Sequence, residues 1–237
     1  MINISKNMDN EEFRYERKFL ILSKDVSKDK IKMLINLHPA CFSKLYSSRY
    51  VNNLYFDTSN YKNFHENIEG VSDRQKVRIR WYGNFYGEVL DPVLEIKIKK
   101  SAVGTKKSFL LNPFTIDSNF NWKTLNDIIY SSDIQENVKE MIKSLKPVIF
   151  NRYRREYFGS RDQKFRMTLD DRLEFFLAER AFNFDSMPSK KSSNYILELK
   201  YNKKYDDEVS NISSFLPFRM TKSSKYVTAV EKFYKSK

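Results

Sequence analysis

The stretch KVRIRWY, Lys76–Tyr82, decides how the rest of the chain is read. Successive side chains of a β-strand point to opposite faces. Lys76, Arg78 and Arg80 therefore share one face, and Val77, Ile79 and Trp81 the other. The apolar face requires a core. The other carries three positive charges along about 14 Å of strand. A half-exposed antiparallel sheet shows the same alternation, with Lys, Glu, Thr and Ser turned to water. One strand of this kind therefore says little.

The pattern recurs along the chain. Arg14-x-Glu16-x-Lys18, Arg74-x-Lys76-x-Arg78-x-Arg80, Glu95-x-Lys97-x-Lys99, Arg166-x-Thr168-x-Asp170 and Glu198-x-Lys200 each set charge on one face. Between these residues stand apolar ones, among them Leu94, Ile96 and Ile98, Phe165, Met167 and Leu169, and Leu197 and Leu199; Arg17 breaks the rule. A wet face does not predict arginine on strand after strand with a carboxylate or another arginine two residues away. An apolar outer face calls for helices to bury it. Closing the sheet removes its exposed edges. The expected fold is α+β: a closed antiparallel β-barrel, a tunnel with a charged interior, with helices packed on the outside. Charges at that density must be paired, hydrated or neutralised by a ligand. Arginine forks and lysine ammonium groups suit phosphates, and a few carboxylates suit Mg²⁺ or Mn²⁺.

Bulk features agree. The 237 residues are ample for a core, and the formal charge of +13 points to a polyanion partner as one explanation. Only five glycines argue against a glycine-rich phosphate loop. Cys41 is the sole cysteine, so no internal disulfide forms, which fits a reducing cytoplasm. His38 and His65 are the only histidines and are too few for a zinc cluster. No stretch approaches about 18 apolar residues, so membrane association would need a partner protein.

Strands are expected at 13–22, 49–58, 73–83, 92–101, 106–112, 148–158, 164–171, 172–178 and 194–202. Helices are expected within 23–38, capped by Ser27, at 60–70, closed by Gly70, at 121–146, stopped by Pro147, and at 225–234. Residues 1–11 read as a polar tail, 186–194 as a loop, and 12–237 as a single domain.

The ordered motifs YERKFLI, NLYFDT, RQKVRIRWYG, LEIKIKK, RYRREYF, FRMTLDD, ILELKY and SSKY span nearly the whole chain. Together they resemble the VTC domain, the polyphosphate polymerase domain of the triphosphate tunnel metalloenzyme superfamily. The resemblance implies a tunnel of eight antiparallel strands, open at both ends, in which the γ-phosphate of a nucleoside triphosphate such as ATP passes to a growing polyphosphate. It implies catalytic roles for Arg78, Arg80, Lys97, Arg155, Lys200 and Lys225. Lys18, Arg74, Tyr153 and Ser224 would bind substrate, with Lys76, Lys99 and Arg166 on the same charged faces. Glu198 would hold the metal, with Glu95 or Glu16 assisting. Arg14 stands where the sister branch of tunnel triphosphatases and adenylate cyclases has the first Glu of Glu-x-Glu-x-Lys. That departure favours the VTC reading over the sister branch; a tunnel hydrolase of triphosphate or nucleoside triphosphates and a non-catalytic polyphosphate-binding module are the alternatives. No nucleic-acid partner is expected, because the aromatics near the arginine rows mostly fall on the opposite face.

Overall fold

The computed structural model describes residues 14–100, 103–178 and 188–234. The expected tail at 1–11 lies outside them. The strands are β1 (Arg14–Ile21), β2 (Ser43–Asp57), β3 (Arg74–Tyr82), β4 (Gly87–Val89), β5 (Val93–Lys100), β6 (Val103–Leu110), β7 (Phe114–Ile116), β8 (Lys146–Gly159), β9 (Phe165–Leu177), β10 (Ser189–Ser192) and β11 (Tyr195–Asn202). The helices are α1 (Lys28–Asn36), α2 (Lys62–Glu69), α3 (Trp122–Ser131), α4 (Glu136–Lys143), α5 (Val209–Ser213) and α6 (Lys225–Tyr234).

Eight strands form one curled antiparallel sheet in the order β1-β11-β9-β8-β2-β3-β5-β6, with β10 added beside β9. β1 and β6 are its edges, and among the described residues no backbone ladder joins them. The expected closed barrel is therefore corrected to an open half-barrel. Side chains approach across the gap instead, with Lys97 of β5 3.0 Å from Glu16 of β1.

The convex face is apolar, as the alternation demands. Val77, Ile79, Trp81, Leu94 and Ile96 pack under Leu125 and Ile129 of α3 and Val138 and Ile142 of α4. Phe19, Met167, Leu197 and Leu199 pack under Ile31 and Ile35 of α1. Ser27 caps α1 by accepting the Lys30 amide, as expected. Not every helix lies outside, however. Tyr226, Ala229 and Val230 of α6 pack on Ile149, Tyr153, Phe175 and Ile196, all on the concave face by strand register. That end of the concave face is packed rather than open. Asp57 anchors the arrangement: its carboxylate accepts the Asn63 and Phe64 amides at the start of α2 and the Tyr226 hydroxyl of α6.

Other corrections have local causes. The single helix expected at 121–146 is two, because the Ser131 and Ser132 hydroxyls capture the Ile128 carbonyl and Ser132 turns extended. Pro147 then lies inside the start of β8 rather than behind a helix. β2 begins at Ser43, well before the expected 49, because its first residues are exposed and carry no apolar periodicity. The loop expected at 186–194 contains β10, and the short β4–β7 pair was not foreseen.

Strands 164–171 and 172–178 are one strand, β9, carrying a bulge. Arg152 pairs with Glu174 and Arg154 with Asp171, so Tyr153 faces two residues, Arg172 and Leu173. Arg172 takes a left-handed backbone, φ 52°. The extra residue inverts the alternation. Thr168 and Asp170 face the concave side before it, and Leu173 and Phe175 after it, so one strand supplies both polar site and apolar floor.

Candidate functional site

Strand register sets the charged residues side by side on the concave face. Arg78 lies opposite Glu95 on one neighbour and Tyr55 on the other, and Arg80 opposite Asn53. Glu95 is buried and takes Arg78 at 2.6 Å, Lys106 at 3.1 Å and Arg80 at 3.6 Å. Burial alone would raise its carboxyl, but these three cations hold it far below the usual carboxylate range. Arg78 also donates to the Tyr55 hydroxyl, and Arg80 to Asn53 and the Tyr153 hydroxyl.

A second group centres on Asp170, which is fully buried. Arg155 donates to both its oxygens, at 2.6 and 2.8 Å, and Lys225 at the start of α6 lies 2.6 Å away. The Tyr153 ring sits beneath Arg155 and Lys225. Burial raises its phenol, but Arg155, Arg80 and Lys225 outweigh that and bring it to about 8.

A third group links β1 and β11. Lys18 stands between Glu16 at 3.4 Å and Glu198 at 3.5 Å, and Lys200 lies 3.8 and 3.6 Å from the same pair. Arg155 joins this group to the second through Glu198, at 3.6 Å. Burial and mutual repulsion raise Glu16, yet Lys18, Lys97 and Lys200 leave it lowered. Glu198 is held well below its ordinary value, its burial outweighed by Lys200, Lys18 and Arg155.

Lys76 differs from the others. Its ammonium donates to the Ser224 hydroxyl at 2.9 Å, and Ser224 also caps α6 by accepting the Val227 amide. Burial, then Lys18, Arg74, Lys97 and Arg78, push this lysine down to about 7. Positive charge is in excess around it.

The structure thus brings Lys18, Lys76, Arg78, Arg80, Lys97, Tyr153, Arg155, Lys200, Ser224 and Lys225 onto one surface. Arg74 and Lys99 face each other at the end of the β3–β5 pair, where Arg74 donates to the Val71 carbonyl. Arg166 is exposed at the far end of β9, outside the clusters. The register of β8 is settled: Tyr153 and Arg155 face inward, Arg154 pairs outward with Asp171, and Arg152 stacks on Tyr50. The expectation that aromatics avoid the charged face holds for Trp81. It fails for Tyr55, Tyr82, Tyr153 and Tyr157, which alternate in phase with the charged residues.

Asp170 is the main residue that sequence reading left without a role, although it stood in the charged pattern. Asn53 and Asn151 were also missed. Their amides bond each other at 2.7 Å on the concave face, and Asn151 Nδ2 and Thr168 Oγ1 are buried without a hydrogen-bond partner. Buried asparagine in an otherwise apolar strand was the available signal.

Among the described residues no three His, Cys, Asp or Glu form a cluster able to hold a metal. Glu95 does not join Glu16 and Glu198, because Arg78 and Lys106 take its oxygens. Glu16 and Glu198, which share Lys18 and Lys200, are the two carboxylates that would hold a hard cation bringing its remaining oxygens from phosphate and water, as Mg²⁺ does with one or two carboxylates. Their proximity and retained negative charge support that fit.

The VTC domain model matches residues 13–234. The chain belongs to the VTC domain family. Among solved structures, this VTC domain is similar to a protein from Pyrococcus horikoshii, with TM-score 0.52 and 13% identity, covering 93% of this chain and 99% of that one. It is also similar to an adenylate cyclase candidate from Vibrio parahaemolyticus, with TM-score 0.51, 11% identity and coverage of 92% and 98%. An adenylyl cyclase candidate from Hippeastrum with a dominant triphosphatase activity gives TM-score 0.50, 15% identity and coverage of 92% and 94%. These likenesses establish the fold. No curated protein matches the sequence. Among the described residues no helix is long and apolar enough to cross a membrane.

Proposed function

We propose that this VTC domain is a metal-dependent phosphotransferase that moves the γ-phosphate of a nucleoside triphosphate, ATP first, onto a growing polyphosphate and releases the diphosphate. The observation that carries this reading is the excess of positive charge on the concave face, expressed in Lys76, which is half-buried among cations and donates to the Ser224 hydroxyl. A polyanion relieves that excess.

Phosphoryl transfer proceeds through a loose transition state, so positioning and charge neutralisation carry most of the catalysis. Arg78, Arg80 and Arg155 are fixed by Glu95, Asn53 and Asp170 before substrate arrives, so their guanidinium planes are preorganised. Lys18, Lys97, Lys200 and Lys225 supply point charge that holds donor and acceptor phosphates together against their repulsion. The acceptor is an ionised phosphate oxygen, so no general base is required. Glu16 and Glu198 would hold a divalent cation, which would offset charge on the triphosphate.

Hydrolysis is the second reading, and the triphosphatase activity of the Hippeastrum neighbour favours it. Glu16 is then the carboxylate placed to orient water. One assay separates the two. Purified protein is incubated with ATP and Mn²⁺, and products are resolved by gel and by phosphate release. Polymer with ADP is expected; free phosphate without polymer overturns the polymerase in favour of the hydrolase.

A further inference from the structure

At the C-terminal ends of β3 and β8 the concave face carries aromatic rings. β3 and β8 run parallel to each other on either side of β2, so their C-terminal ends meet. Tyr82 stands two residues beyond Arg80, and Tyr157 two beyond Arg155, each about 7 Å further along its strand. Arg49 lies between them on β2, paired in register with Arg155. Its guanidinium is 4.0 Å from the Tyr82 ring centre and 5.1 Å from that of Tyr157, and its Nε donates to the Tyr157 hydroxyl at 3.1 Å. Tyr46 closes against Tyr157 edge-on.

This group differs from the other arginines of the face. Arg78, Arg80 and Arg155 are held by carboxylate or amide oxygens, whereas Arg49 is held by ring faces and a phenol. Its plane is fixed, it is exposed, and Tyr82 keeps 44% of its surface in solvent although Arg49 covers one ring face. Flat, exposed, rigid π surfaces next to a phosphate path suit a nucleobase: stacking on aromatic and guanidinium planes works for any base. At the opposite end α6 covers β8, β9 and β11 through Tyr226, Ala229 and Val230. A nucleotide whose phosphates reach Arg80 and Arg155 therefore leaves its base at the aromatic lip.

We propose that Arg49 and Tyr82 form a base-stacking subsite that seats the nucleobase of the donor nucleoside triphosphate while its phosphates enter the charged face. The proposal rests on the reading of that face as a phosphate path. It adds a distinction between nucleotide and bare phosphate substrates.

The test compares ATP with inorganic tripolyphosphate, both with Mg²⁺, by titration calorimetry on the full chain. Tyr82→Ala is expected to weaken ATP binding about 30-fold, a mid-range value for one stacked base, and to leave tripolyphosphate binding unchanged. Tyr82→Phe, which keeps the ring, should restore ATP binding. Melting temperature is followed for each variant. The subsite is overturned if Tyr82→Ala weakens both ligands equally or neither, if Tyr82→Phe behaves like the alanine variant, or if the wild-type protein binds ATP no tighter through its base than it binds tripolyphosphate. Loss of wild-type binding to both ligands would instead bring down the phosphate path, and the subsite with it.

Discussion

Arg154 and Arg155 are consecutive, as are Asp170 and Asp171, and the sheet deals one of each to either side. Outside, Arg154 donates to Asp171 at 3.1 and 2.8 Å, and Lys28 of α1 shares the carboxylate. Inside, Arg155 donates to Asp170 at 2.6 and 2.8 Å, and Lys225 of α6 shares that one. Both groups are an arginine fork on a carboxylate with a lysine from a helix. They differ in surroundings. The outer arginine and aspartate side chains are 27% and 7% exposed and their group ends at α1, whereas the inner pair is 9% and 0% exposed and its arginine runs on to Glu198, Lys18 and Lys200. The same chemistry is a clip to α1 on one face and the hinge point of a charged network on the other. What distinguishes them is connection, and connection is where function is proposed to lie.

The comparison can be broken by removing each aspartate charge in turn. Asp170→Asn should cost about 3–5 kcal/mol, because Arg155 and Lys225 are left buried without their counter-charge. Asp171→Asn should cost less, about 1–2 kcal/mol, because the cations it leaves behind, Arg154 and Lys28, are partly exposed and water screens them. Denaturant unfolding of the two variants checks this, and equal losses would refute the distinction. Activity should follow the same order, with turnover lost in Asp170→Asn and retained in Asp171→Asn.

A smaller structural effect is expected within the network. Lys200 is partly exposed, and Glu198 keeps Lys18 and Arg155 without it. Lys200→Ala should lower turnover about 100-fold, the scale of one lost electrostatic contact to the transition state. Its melting temperature should move by no more than about 4 °C. Unfolding of this variant would make Lys200 a structural residue instead.

The smallest effect is a proton. Lys76 is near 7 in the folded protein and 10.5 in the unfolded chain. Between those values the unfolded state binds more protons, so stability from this group rises with pH across the window, and its penalty is complete below about 7. A bound polyanion lifts Lys76 again. Tripolyphosphate binding at pH 8 should therefore take up protons, measurable by calorimetry in buffers of different ionisation enthalpy. Lys76→Met should abolish the uptake.

Much of this was legible. The period of two put Arg78 and Arg80 opposite Val77, Ile79 and Trp81, and packing of Trp81 beneath the helical layer follows from it. Glu16, Lys18, Glu198 and Lys200 met across β1 and β11 because their alternation matched. What the alternation missed lay where its assumptions stopped. The bulge at Arg172 shifted parity within β9, so Phe175, not Glu174, faces inward. Two serine hydroxyls cut a helix that periodicity read as continuous. That Arg78 and Lys106 pair with Glu95 was hidden because a carboxylate two residues from a lysine looks the same whether a metal or an arginine takes its oxygens.

The sequence by itself determined which residues of β1, β3, β5 and β11 lie on the charged face, because side-chain direction in a regular strand is a local property of the backbone. It also determined, through the ordered motifs, the family. Only the tertiary structure decided that the sheet stays open between β1 and β6, that α6 packs on the concave face, that Asp170 holds Arg155 and Lys225 together, and that Arg49 stacks between Tyr82 and Tyr157. Each of these depends on contacts between residues far apart in the chain, on strand order and register, which no local pattern encodes.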